Sequence, residues 1–181
     1  MGHGDVISVS LAPRHGFAKS PVPELRVVAS LGIEGDAHFG AKTQHRYDKR
    51  FRRDAPNLRQ VHLIAVSVYE DLRALGFDVQ AGDLGENITT SGPDLTSLPE
   101  GTGLRRGDEA QLELTGLRAP CVLLDRFRPG LRAAVTGTGL DGKSFLRGGV
   151  MSLVLLSGTI RPGDRISVIP PPTPYRPLKN V

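Results

Sequence analysis

A single cysteine, no tryptophan and an aromatic content of 5% are the scarcities of this 181-residue sequence. The lone Cys121 excludes an intrachain disulfide and any zinc site that needs two thiolates. It also suits a reducing compartment. With so few aromatic residues, the core has to be built from Val, Leu, Ile and Ala. No run approaches the roughly 18 apolar residues that cross a bilayer. The first residues carry neither the basic stretch nor the apolar run of a signal peptide. The expectation is a cytoplasmic protein without membrane contact. Its 39% hydrophobic and 23% charged residues are those of a globular chain, and the length suits one domain.

Turn formers, by contrast, are plentiful, with 22 glycines and 14 prolines, so turns should be frequent and helices short. Strand signals dominate. Val6–Leu11 alternates Val6, Ser8 and Ser10 against Ile7, Val9 and Leu11, and Leu25–Ala29 is a second β-prone run. Gln60–Val66 is almost wholly apolar, which predicts burial on both faces. In the 109–116 segment Ala110, Leu112 and Leu114 alternate with polar residues, the pattern of a half-buried strand. Val150–Leu156 and Arg165–Ile169 add two more, joined by a Gly- and Pro-containing turn. One helix is well marked. Ser67 and Glu70 have capping-box spacing, Val68, Leu72 and Leu75 recur at helical intervals, and Gly76 offers a left-handed stop. A weaker helix is expected near Leu131–Val135. The last twelve residues carry five prolines and read as an extended tail. The fold class expected is mainly β (β-rich α+β), a closed or partly closed β-barrel with one or two short helices. It should occupy residues 1–169 as one domain, followed by the Pro-rich tail 170–181.

Net charge is +4, unevenly placed. Between His45 and Arg53 stand Arg46, Lys49, Arg50, Arg52 and Arg53, answered only by Asp48. Residues 41–56 are expected to form an irregular, solvated loop or a phosphate-binding face. A nucleic-acid-binding barrel is the alternative reading, since His45, Tyr47 and Phe51 interleave with these cations as a stacking platform would. The scarcity of aromatics elsewhere, and the lack of an RNA-recognition or zinc-finger signature, argue against nucleic acid.

Four segments carry polar chemistry. GIEGDAHFG (32–40) sets Asp36 and His38 two apart, which puts both on one face of an extended segment. They read as acid–base groups or ligands, with His45 a further candidate, or as a turn with an Asp cap and a surface His. GDLGENITTSG (82–92) offers Glu86, Asn87, Thr89 and Thr90 for binding a heterocycle, its glycines admitting close approach; the same residues also stabilise turns. LTGLRAPCVLL (114–124) holds Cys121 behind Pro120, with Arg118 near enough in sequence to stabilise a thiolate. A lone Cys before Val-Leu-Leu is otherwise a small buried hydrophobe. Arg147-Gly148-Gly149 precedes a strand, and the glycines suggest close approach to another backbone or a ligand.

Taken in order, GIEGDAHFG, RQVHLI (59–64), GDLGENITTSG, ELTGLRAPCVLL (113–124) and RGGVMSLVLLSGTIRPGDRI (147–166) resemble the MOSC domain, the C-terminal module of molybdenum cofactor sulfurases and of short stand-alone bacterial proteins. The resemblance implies a mainly β barrel and a role in sulfur or molybdenum-cofactor chemistry. It implies Cys121 as sulfur carrier or molybdenum ligand, because a thiolate accepts sulfane sulfur and is a soft ligand. It also implies molybdopterin-type cofactor binding, with Glu86, Asn87, Thr89, Arg118, Arg147 and Arg53 as cofactor-binding candidates and Asp36 and His38 as catalytic partners of Cys121. Pyridoxal phosphate binding is a further activity attached to the family. A sulfur donor protein or an external electron donor would be the partner. Larger relatives that reduce N-hydroxylated compounds carry additional domains; this chain has neither that length nor clustered cysteines.

Overall fold

The structure is a computed structural model that describes residues 2–138 and 144–181, the side chains of residues 46, 47, 138, 144 and 145 excepted. In chain order the first half comprises β1 (His3–Leu11), β2 (Ser20–Pro21), β3 (Leu25–Val28), β4 (Gly32–Ile33), α1 (Arg46–Phe51), β5 (Val61–Ala65), α2 (Val66–Ala74) and β6 (Ile88–Thr90). The second comprises β7 (Gly103–Arg105), β8 (Gln111–Leu117), α3 (Leu123–Phe127), α4 (Leu131–Ala134), β9 (Thr136–Thr138), β10 (Ser144–Leu146), β11 (Val150–Leu156), β12 (Gly158–Ile160) and β13 (Arg165–Ile169).

Seven strands close on themselves in the order β13-β7-β8-β11-β5-β6-β1, with β1 pairing back to β13. Closure removes free sheet edges. The β5–β6 pairing is parallel and the other barrel pairings antiparallel. A small β12-β3-β4 sheet is separate from the barrel.

Alternation explains most inward-facing residues. Leu112, Leu114 and Gly116 of β8 are buried, and the residues between them are half-buried. β1 departs from that pattern. A register shift against β6 between Val6 and Ser8 puts Val6 and Val9, three residues apart, in the same core and leaves Ile7 46% exposed. β5 is buried on both faces, as its apolar run predicts. Val61 and Leu63 join the barrel core, whereas Ile64 joins an outer cluster with Tyr69, Leu72, Leu124 and Leu131. That outer cluster seats α2, α3 and α4 beside the barrel.

Two local expectations need correction. The chain passes directly from β5 into α2, so Ala65 is the N-cap and Ser67 lies inside the first turn without capping it. Leu75 falls just past the helix and is 65% exposed, with Gly76 following at φ +88°. The basic segment is also not an irregular loop throughout, because residues 46–51 form α1. The tail 170–181 has no strand or helix of its own, and it docks on the barrel. Leu178 is buried in the barrel core cluster, and residues 177 and 180 bridge to Pro99 and Leu117.

Candidate functional site

Several chain segments converge on a cavity of about 620 Å³ at one side of the barrel. The loop after β1 brings His15, Phe17 and Lys19; the segments flanking α1 bring His38, His45 and Arg59; and the turn after β8 brings Arg118, Pro120 and Cys121. His62 of β5, Asn87 and Val181 complete the parts used below.

The loop after β1 is held against the glycine-rich 82–92 segment. Gly82 has φ +94°, and a Cβ there would lie 2.4 Å from the Lys19 carbonyl oxygen. Gly85 has φ +80°, and its Cβ would lie 2.4 Å from the Phe17 carbonyl oxygen. These glycines therefore admit another stretch of backbone, and that stretch delivers Phe17 and Lys19 to the cavity. Gly149 acts in the same way. With φ +90°, it leaves room for the Leu63 carbonyl and for His62 Nε2.

Asp36 is the hub below the cavity. Its Oδ1 accepts from the His38 backbone N–H at 3.0 Å and lies 3.1 Å from His38 Nδ1. Its Oδ2 accepts from Lys19 Nζ at 2.5 Å, Asn87 Nδ2 at 3.1 Å and the Ala12 N–H at 3.3 Å. Burial opposes ionisation, but the His38 hydrogen bonds and the Lys19 ammonium hold Asp36 well below the usual carboxylate range. A carboxylate so occupied orients other groups and does not itself face a ligand. A carboxylate acceptor at Nδ1 assigns the proton to that nitrogen, leaving His38 Nε2 as the ring's acceptor. Burial pushes Lys19 below the ordinary lysine value, against the opposing pull of Asp36 and Glu86.

Cations line the cavity more densely than the motifs predict. Arg118 lies with its guanidinium 5.9 Å from the Phe17 ring centroid, and its Nη1 is buried without a hydrogen-bond partner among the described residues. Burial lowers the Arg118 pKa, with Cys121 and Glu86 opposing that shift. Arg59 is likewise lowered by burial, offset by Asp48 at 3.6 Å. His62 donates from Nε2 to the Gly148 carbonyl at 2.7 Å, and burial depresses its pKa to about 3, so it is neutral. Burial and the Arg59 charge also lower His45.

Four expected cofactor-binding residues lie off the cavity wall. Glu86 is fully buried; its Oε1 accepts from the Gly82 N–H at 2.5 Å and from Thr89 Oγ1 at 3.0 Å, which occupies Thr89 as well. Arg147 pairs with Asp71 at 2.5 Å beside a separate hollow of about 250 Å³. Arg53 is exposed on the loop after α1. Asn87 does border the cavity, but its amide mainly joins β1, β5 and Asp36, through the Ser10 carbonyl, the His62 N–H and the Asp36 carboxylate. Lys19, His15, Arg59 and His62 were not singled out from the sequence. The RQVHLI block contained two of them, but neither charge nor spacing distinguished them there. No group of three or more His, Cys, Asp or Glu side chains among the described residues could hold a metal ion.

A half-buried cysteine, an Asp–His pair and buried cations around one barrel cavity accompany a match to the MOSC domain over residues 35–167. The chain belongs to the MOSC domain family. Among solved structures, this MOSC protein is similar to the YuaD protein from Bacillus subtilis, with 25% identity, a TM-score of 0.73, and coverage of 93% of this chain and 98% of that one. YiiM from Geobacillus stearothermophilus is 22% identical with a TM-score of 0.62, covering 92% and 75%. YiiM from Escherichia coli is 19% identical with a TM-score of 0.61, covering 97% and 73%. No curated protein sequence matches this MOSC chain. No helix among the described residues is long and apolar enough to cross a membrane.

Proposed function

We propose that this MOSC protein binds a molybdopterin-type cofactor or carries sulfur at Cys121. The observation that carries the reading is the orphaned Nη1 of Arg118, buried in the cavity that Cys121 also borders. A buried guanidinium donor without a partner favours an anionic guest. Arg59 and Lys19 add two further cations to the cavity lining, each facing one carboxylate, Asp48 and Asp36 respectively.

These residues fit a phosphorylated, sulfur-rich cofactor with a soft metal. Arg118 and Arg59 would hold its phosphate, and Cys121 would supply the soft sulfur ligand. Such a group supplies two-electron redox chemistry when bound. His38, fixed through Nδ1 by Asp36, can accept or return a proton at Nε2. Reduction of an N-hydroxylated compound breaks the N–O bond and releases water. It takes up two protons and two electrons, the electrons coming from an external donor, and His38 would serve the proton transfers.

The test is elemental analysis and native mass spectrometry of the protein isolated from its own host. Molybdenum or a sulfur adduct on Cys121, lost in Cys121→Ser while the fold survives, supports the reading. A chain that carries neither, and whose Cys121→Ser variant changes stability alone, overturns it.

A further inference from the structure

The 170–181 tail reads in the sequence as an appendage, yet part of it is built into the cavity wall. β7 pairs with β8 only as far as Glu113, and Thr102 and Gly101 extend that contact to Leu114. Beyond it the tail takes over. The Leu117 N–H donates to the Lys179 carbonyl at 2.8 Å, and the Val181 N–H donates to the Leu117 carbonyl at 3.3 Å. Leu117 is the residue before Arg118, so the tail satisfies the backbone at the start of the turn that presents Arg118, Pro120 and Cys121.

Two features show that this docking is specified. Leu178 is 8% exposed within the barrel core cluster and anchors the segment. Gly116 supplies the space. A Cβ at that position would lie 2.5 Å from the Lys179 carbonyl oxygen and 2.5 Å from Val181 Cγ1. An absent side chain on β8 thus makes the seat of Val181, and Val181 in turn lines the cavity.

We infer that Val181, seated by Gly116 and anchored through Leu178, is the specificity-determining wall of this cavity and limits the breadth of molecule that reaches Cys121. The inference rests on Cys121 being reachable through the cavity, as the proposed function requires. The Val181 side chain brings neither charge nor proton to the wall; it sets size by apolar bulk, in the way that single methyl groups in apolar pockets discriminate between ligands.

The experiment compares labelling rates of Cys121 in the folded, full chain by a small reagent, iodoacetamide, and a broad one, pyrenyl maleimide. Val181→Gly should raise the broad-to-small rate ratio by about tenfold, and Val181→Trp should lower it by a similar factor. Gly116→Ala, which unseats the strap without altering a charged cavity residue, should act as Val181→Gly does. Ratios that stay the same in both Val181 variants while iodoacetamide labels readily would overturn the size limit alone. Failure of iodoacetamide to label the folded chain would overturn the size limit together with the proposed role of Cys121.

Discussion

Lys19 and Asp36 form a buried ion pair at 2.5 Å, with side chains 6% and 0% exposed, and that pair sets the ring of His38. Seventeen residues of chain separate the two, and neither has another formal opposite charge at salt-bridge distance among the described residues, apart from His38 when protonated. Removing one partner of such a pair leaves a buried charge uncompensated. Asp36→Asn should therefore destabilise the fold by about 3 kcal/mol. Lys19→Met combined with Asp36→Asn should be less damaging than the sum of the single changes. Urea unfolding of the four chains checks this, and strictly additive losses would count against a coupled pair.

Acid should weaken the fold in two stages. His62 has a folded-state pKa of about 3 against an ordinary value of 6.5, so the unfolded chain binds its proton first. Its contribution is fully present above about pH 6.5 and is lost as pH falls toward 3, with a limiting slope of about 1.4 kcal/mol per pH unit. Asp36 is also depressed when folded, so its share is present above the ordinary carboxylate range and is lost only below it. His62→Gln should flatten the decline between pH 6.5 and 4 without changing the steeper loss at lower pH. Unfolding midpoints measured across that range decide it; parallel curves for the two proteins would remove His62 as the cause.

Anion binding should follow Arg118, not the exposed Arg53 of the basic segment. Arg118 has a buried, unpartnered donor at the cavity, whereas Arg53 is exposed and off its wall. Arg118→Met should reduce affinity for inorganic pyrophosphate by about tenfold, the loss expected for a charge-assisted hydrogen bond. Arg53→Ser should leave it unchanged at moderate salt. Isothermal titration of both variants gives the comparison, and equal losses would return the binding face to residues 45–53.

Gly85 should be intolerant of a side chain. Alanine there meets both a left-handed backbone at φ +80° and a carbonyl oxygen 2.4 Å from its Cβ. Gly85→Ala should destabilise by about 2–3 kcal/mol and displace the loop carrying Phe17 and Lys19. Thermal unfolding together with anion titration measures both consequences; a stable variant with unchanged affinity would separate that loop from the site.

Period-two alternation in β8, the doubly apolar β5 and the density of turn residues were enough to make the chain a strand-rich barrel. Those signals are local, since a strand's alternation is written in consecutive residues. The β1 irregularity was not legible, because the register shift that turns Val6 and Val9 the same way depends on the partner strand β6. The α2 start differs for a related reason: Ser67 and Glu70 have capping spacing, but β5 feeds the chain into the helix with its N-cap at Ala65, two residues before Ser67.

Within the site, Asp36, His38, Arg118 and Cys121 are candidates chiefly through the MOSC resemblance of their segments, and the fold brings them to one cavity or to the layer beneath it. The roles of their neighbours did not follow from sequence. Glu86 has the chemistry of a ligand-binding residue, yet complete burial assigns it to Gly82 and Thr89. Lys19 is one lysine in a loop until Gly82 and Gly85 seat that loop against Asp36. By itself the sequence determined the barrel class and the MOSC relationship, because these depend on composition and short-range order. Tertiary structure decided which cations face the cavity, which carboxylates are consumed inside, and that the tail forms a wall, because burial and hydrogen-bond partnership are set by contacts between residues far apart in the chain.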